Sequence, residues 1–434
     1  MKRRTVALLT LAWTGAALGQ IDVGSDGSDG AFAPVANTVV DLSLADTGPG
    51  TGHYDPDRWA VTFNYTSVDI PGGVTVSFIN HPSGAPVVWL VDGDVNIAGG
   101  VALDGENHTG VAARPAIAGP GGFRGGRAFL SAQSEGSGGY GPGGADYVAS
   151  VAGTSGSYGT LGSGGTTTYG NEQVIPLIGG SGGSAHGGST NRGGGAGGGA
   201  ILVAANGTIT IDGWIRANGG EGQNQCCGSH SGDGSGGGIR LVTPALAGAG
   251  QLIATGGGSS APGGKGRIRV EADTITFTHP GDPVFSFAPP ELDMRCVGGI
   301  SDNAPCTGGD CGTGVCTPTV PLLWPPSDSP RLEAVKFVVN AVDVPIPVDP
   351  NASLDFPDQD VSIDSEDPLE LHIAAANVPL DWTVEVRAVA KSGVAQVITA
   401  DPLAGTLESS TTTALVTLPR GFSGIQLRAF QPAP

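Results

Sequence analysis

The sequence predicts an all-β protein: a glycine-rich parallel β-helix (a solenoid), then a small cysteine-bearing linker module, then a C-terminal antiparallel β-sandwich. Three observations carry this reading. First, one phrase recurs. ILVAANGTITIDGWIRANGG at residues 201–220 aligns without a gap with IRLVTPALAGAGQLIATGGG at residues 239–258, a shift of 38 from 201 to 239, and with VVWLVDGDVNIAGGVALDGE at residues 87–106. Each copy is an apolar β-branched run, a Gly-rich turn, a second short apolar run and Gly, the pattern of a stacked strand–turn–strand unit. Second, Gly supplies 76 of 434 residues and helix formers are scarce, which disfavours helix throughout. Third, the chain ends in short alternating strands separated by Pro- and Gly-bearing turns.

The chain opens as a secretory leader. Lys2, Arg3 and Arg4 precede an apolar segment at residues 6–13, and Ala17-Leu18-Gly19 forms a small-residue cleavage site, so residues 1–19 are expected to be removed on export. The apolar segment is shorter than the ~20 residues a membrane-spanning helix needs, and no later stretch reaches that length, so no membrane span is expected. Gln20 stands where a lipid-anchored start would need Cys. The mature chain is expected outside the cell or on its surface. Loss of the three basic residues of the leader takes the formal charge from −20 to −23. Such a charge excludes nucleic acid and anionic membranes as partners, keeps the chain soluble and leaves room for divalent cations.

The first solenoid unit is expected over residues 20–280, with a Gly-rich insertion at residues 107–199. Residues 21–30, IDVGSDGSDG, offer Asp22, Asp26 and Asp29 as a calcium loop, but the spacing fits a turn-rich cap better. Residues 68–76 match residues 95–103 without a gap at a shift of 27, about the length one β-helix rung requires. Val68, Val95, Ile209 and Ile275 are expected in comparable inward positions. Residues 107–199 hold few large apolar side chains, so they cannot build an ordinary core. Disorder, long excursions and bundled extended helices are the three outcomes; Phe123, Phe129, Tyr140, Tyr147, Tyr158 and Tyr169 favour an ordered, loop-rich excursion pinned by aromatic anchors. Residues 268–277 restate residues 201–211 with one residue deleted, and Pro280, Pro283, Pro289 and Pro290 close the regular structure.

Residues 281–330 form the linker module. Cys296, Cys306, Cys311 and Cys316 lie close together, and in an exported chain they read as two disulfides with three possible connectivities. Zinc is the rival, but the C-x₂-C pairs usual for structural zinc are absent. The vicinal Cys226-Cys227 pair is open between a strained bridge, two longer bridges and interchain links. Residues 331–434 read as an immunoglobulin-like sandwich, with strands at 332–339, 369–374, 383–390, 395–399, 413–418 and 425–430. An acidic run from Asp349 to Glu370 is read as a solvated edge rather than a calcium site.

GSDGSDGAF (residues 24–32), NHPSGAPVVWLV (80–91), the Gly-rich centre, NGTITIDGWIRANGG (206–220) and SGGGIRL (235–241) together resemble glycine-rich exported bacterial surface proteins of the β-helix kind, over residues 21–277. These motifs are structural, so the resemblance implies a surface role and no reaction.

The β-helix architecture also hosts polysaccharide hydrolases and lyases. Hydrolases of that kind carry an Asn-x-Asp, an Asp-Asp pair, a Gly-His-Gly and an Arg-Ile-Lys. Arg267-Ile268-Arg269 matches the last loosely and His186-Gly187 half of the third, but residues 60–280 contain neither an Asp-Asp pair nor an Asn-x-Asp. The solenoid holds one lysine, Lys265, and His53, His81, His108, His186 and His230 form no i, i+4 pair. No catalytic residue, cofactor or metal is therefore assigned. The expectation is a non-catalytic structural or adhesive protein whose partner is an extracellular surface or a polysaccharide. Carbohydrate binding through Trp59, Trp89 and Trp214 is the alternative, with a hydrolase or lyase after it; exposed rings along one face would favour the binder, buried rings the scaffold.

Overall fold

The computed structural model describes residues 21–110, 114–128, 135–188, 191–225, 229–259, 261–297, 306, 311–312, 315–346, 360–363, 365, 367–418 and 421–431. The expected leader, Cys226, Cys227, Phe129 and most of the acidic run at 349–370 lie outside these residues. The described chain is all-β, its only helical turn being the 3-10 turn Leu42–Leu44.

Parallel ladders bring the repeated phrase into register. In one sheet Val61 of Ala60–Ile70 faces Val87 of Val87–Val91, which faces Ile201 of Ala200–Ala205. Ile201 faces Ile239 of Gly238–Ala247, and Ile239 faces Ile268 of Arg267–Ile275. Further along the same sheet Val68, Val95, Ile209, Leu246 and Ile275 make a second row. In a second parallel sheet Val76, Val101, Ile215 and Leu252 make a third. These rows point into one core with Phe63, Tyr65 and Trp89; Ile275 packs against it partly buried. Parallel rather than hairpin pairing follows from the long connections between like strands.

The register explains two details of the sequence. Asp94, Asp104 and Asn107 each accept a backbone N–H 114 residues onward, from Thr208, Asn218 and Glu221, so the ladder keeps its offset across the whole insertion. The shift of 38 between residues 201–220 and 239–258, by contrast, survives only the first strand. Beyond it Asp212 meets Ala249 and Asn218 meets Thr255 at a separation of 37. The slip falls at Pro244. Proline has no N–H for the ladder, and Thr243-Pro244 replaces the longer Ala205-Asn206-Gly207 turn; the Thr243 hydroxyl donates to the Gly207 carbonyl at 2.7 Å and closes the gap.

The runs VVWLV and AILVAA are buried at every position. A continuous apolar run belongs to a strand covered on both faces. One face meets the core just described. The other carries Val88, Leu90, Leu202, Ala204 and Val242, and is covered by Ile21, Val23, Leu323 and, partly buried, Trp324. Arg240 sits under this cover, buried with Glu271 at 3.0 Å and donating to the carbonyls of Leu322 and Leu323.

The glycine-rich segments pack by another rule. Gly194, Gly197 and Ala200 donate to Gly126, Phe123 and Pro120; Gly195 and Gly198 donate to Gly232 and Ser235; Ala196 and Gly199 donate to Glu106 and Leu103. Every third residue thus addresses the same neighbour, as in an extended helix with three residues per turn. Partner numbers fall along the first and third neighbours and rise along the second, so the bundle mixes antiparallel and parallel chains. A Cβ on Gly197 would fall on the Gly180 carbonyl, and one on Gly234 on the Ala196 carbonyl, so backbones approach to a distance only glycine permits. Within residues 107–199 the runs 119–126, 180–185 and 194–199 are therefore bundled extended chain, while much of residues 158–178 runs as turns and bends between them. The bundle also recruits residues 217–223, 231–238, 254–259 and 261–266, the glycine-rich stretches that follow and precede the strands of the repeated phrase. Aromatic rings do pin it: Tyr158 stacks on Tyr169 at 4.5 Å, and the Tyr169 hydroxyl donates to the Gly179 carbonyl at 2.6 Å.

In the linker module Leu292–Val297 pairs antiparallel with Val315–Pro321. Ser286–Ala288 adds one more parallel strand among the prolines expected to end regular structure. Beyond Pro330, Arg331–Val339, Leu369–Ala376 and Ser410–Val416 form one antiparallel sheet, and Gln396–Thr399, Thr383–Ala390, Gly421–Phe430 and Asp360–Ile363 form another. Their alternating inward residues, including Phe337, Leu371, Val386 and Val416, share one core.

Candidate functional site

The C-terminal sheets do not stand free of the glycine bundle. Arg387, on Thr383–Ala390, reaches across and donates to the carbonyls of Gly139 at 3.1 Å and Gly144 at 3.2 Å, and to the Asp146 carboxylate at 3.0 Å. The Gly393 N–H donates to the Gly136 carbonyl at 2.7 Å, and the Tyr140 hydroxyl to the Ala390 carbonyl at 3.4 Å. Arg124 stacks on the other face of the contact, 3.8 Å from the Tyr140 ring centroid. A guanidinium suits this role, because its fixed fork of N–H donors matches several carbonyls at once.

Beside Arg387 the two surfaces part and leave a cleft of about 320 Å³. Residues 142–146, Val148, Thr154 and residues 164–167 form the bundle wall; Glu385, Val397, Gln426 and Arg428 form the sheet wall. The sheet register places Val397, Arg387 and Gln426 in one cross-strand row, and Thr399, Glu385 and Arg428 in the next. Arg428 pairs with Glu385, its Nε donating at 2.6 Å. This is the candidate site of the molecule, and sequence reasoning did not find it. Arg387 is one arginine in an ordinary alternating strand, and nothing local marks it as the residue that meets the bundle.

The residues singled out from sequence are distributed differently. Asp22 and Asp26 cap turns by accepting N–H groups two residues onward, from Gly24 and Ser28, whereas Asp29 ties distant segments together by accepting from Gly50 and Asn64. Trp89 is fully buried. Trp59 is partly buried and donates to the Ser83 carbonyl at 3.0 Å, while Trp214 is partly buried, lies over Gly100 and carries Arg216 at 4.5 Å. The three rings form no exposed strip. Arg267 donates to the Tyr169 carbonyl, Arg269 pairs with Glu271 at 3.3 Å, and Lys265 with Asp282 at 2.7 Å. His108 and His186 each accept a backbone N–H two residues onward, and burial holds both below the ordinary imidazole range.

The four linker cysteines pair as Cys296–Cys311 and Cys306–Cys316, one of the three connectivities left open by sequence. Cys296, Cys306 and Cys311 are also the one group of three or more potential metal ligands among the described residues, and their sulfurs are taken up in the bridges. Asp233 is a buried acid. It is buried within the glycine bundle, with one carboxylate oxygen accepting the Gly222 N–H at 2.7 Å and the other unpartnered, and burial pushes its pKa up to about 6. No helix among the described residues is long and apolar enough to cross a membrane.

No protein-family model matches the chain, and no curated protein or solved structure is detectably similar to it.

Proposed function

We propose that the chain is a secreted or cell-surface structural protein that acts by adhesion and carries no catalytic centre. In this reading the two parallel sheets are two faces of a β-solenoid whose successive coils give a strand to each, the threefold glycine bundle is fused along it, and the immunoglobulin-like C-terminal unit is clamped to the bundle through Arg387. One observation carries the reading: the cationic side chains a reacting centre would draw on join chain segments instead. Arg240 ties a sheet to the segment covering it, Arg267 ties a strand to the bundle, and Arg387 ties the bundle to the C-terminal unit. Stacked repeats make a long stiff body whose turns and loops form an extended face. The expected leader supports export, and the two disulfides are compatible with an oxidising, extracellular compartment.

The test is attachment of the mature chain to intact cells, followed by immunolabelling without permeabilisation. Single substitutions of Lys265, Arg267 or Glu271 are expected to leave attachment in place whenever the variant folds, and deletion of residues 107–199 to abolish it. Attachment that survives the deletion, or that is lost in a fully folded Lys265→Ala variant, would overturn the proposal.

A further inference from the structure

We infer that the cleft between the glycine bundle and the C-terminal sheet binds a neutral glycan chain. The inference rests on the adhesive reading above and gives it a partner chemistry. Four charged side chains line the cleft, and all are paired within it: Asp146 with Arg387, and Glu385 with Arg428. The lining therefore has no net charge, although the chain as a whole carries −20. A charged ligand would have to break one of these pairs or be left unpaired against them, which disfavours acidic polysaccharides and basic peptides alike.

What remains available suits hydroxyl groups. The Asp146 side chain is 62% exposed and that of Arg428 52%, so each keeps planar hydrogen-bonding positions open beyond its partner. A carboxylate accepts and a guanidinium donates in pairs, the pattern that vicinal hydroxyls satisfy. Gln426, whose carbonyl oxygen accepts from Arg387, adds amide N–H donors, and Thr154, whose hydroxyl donates to the Asp146 carbonyl, adds an acceptor oxygen. Val148 and Val397, 50% and 55% exposed, face the cleft from opposite walls and offer apolar contact for the C–H face of a sugar ring. The volume lies at the lower end of the ~300–1,000 Å³ usual for ligand sites, which gather at domain interfaces. The walls are also well fixed, since four hydrogen bonds from Arg387 hold them together. Little ordering need follow binding.

The experiment is titration calorimetry of the mature chain with cellohexaose, laminarihexaose and mannohexaose, with tetragalacturonate and an uncharged heptapeptide as the other arms. At least one neutral hexaose is expected to bind. Val397→Asp, which sets an added carboxylate opposite Arg387 and makes the lining acidic, is expected to weaken that binding at least tenfold while the fold is retained. Thr167→Trp, which fills the mouth from an exposed position, should do the same and serves if Val397→Asp unfolds. Failure of all three hexaoses to bind, binding unchanged in a folded cleft variant, or preference for galacturonate or peptide would each overturn the inference. Loss of glycan binding with attachment to cells intact removes the cleft and leaves the adhesive reading standing; loss of attachment as well removes both.

Discussion

Gly234→Ala should unlock the glycine bundle. The new methyl would fall on the Ala196 carbonyl, within the van der Waals radius of a backbone atom that cannot rotate away. Overpacking alone costs about 1–3 kcal/mol. The displaced segment also loses good geometry in the bond from the Gly234 N–H to the Gly220 carbonyl and in its neighbour from Ser235 to Ser181, at about 0.5 kcal/mol each. The expected loss is therefore about 2–4 kcal/mol. Gly48→Ala is the control: Gly48 has negative-side φ and nothing within 4 Å of its would-be Cβ, so its substitution should be neutral or slightly stabilising. Hydrogen exchange reads the difference locally. At about 1.4 kcal/mol per factor of ten, amides of residues 231–238 should exchange roughly 30- to 1,000-fold faster in Gly234→Ala. Equal protection in the two variants would show that close backbone contact does not hold the bundle together.

Three further outcomes are expected. Asp233 has a folded pKa raised to about 6 from an ordinary 3.8, so the stability tied to its neutral form is complete below the lower value and is lost as pH rises through the higher one. Asp233→Asn should thus match the wild type near about pH 3 and exceed it by up to about 3 kcal/mol near about pH 8, and a constant difference across urea titrations at both pH values would contradict this. Arg240→Ala leaves the buried Glu271 carboxylate with Arg269 as its remaining cation and takes the donor from the Leu322 and Leu323 carbonyls, and should cost about 3 kcal/mol, whereas a paired Arg240→Met, Glu271→Leu replacement should recover part of it in equilibrium unfolding. Peptide mapping of the unreduced chain should recover Cys296 joined to Cys311 and Cys306 joined to Cys316, and either alternative pairing would refute the linker geometry.

The strand rows were legible because burial writes itself into an alternating or continuous apolar pattern. Val68, Val95 and Ile209 align in sequence and face one another in space. The slip at Pro244 was not legible, because an ungapped alignment scores residue types and cannot weigh a missing N–H against a shorter turn. The threefold bundle left no three-residue period in the sequence. Its contacts are backbone to backbone and require only that side chains be absent or small, so Gly, Ala and Ser interchange wherever space allows. Cys connectivity depended on the fold of the hairpin, which spacing alone leaves open among three pairings. The cleft was hidden for a different reason. Gly139 and Arg387 are 248 residues apart and meet through packing of two units, a contact that neither local pattern announces.

The most direct measurement incubates the purified mature chain on immobilised neutral and acidic polysaccharides and reads retained protein and released reducing or unsaturated ends together. Retention on a neutral surface with no released product over the whole incubation is the expected result. Released product that disappears on changing a single Asp, Glu or Arg would contradict a protein that works by surface alone.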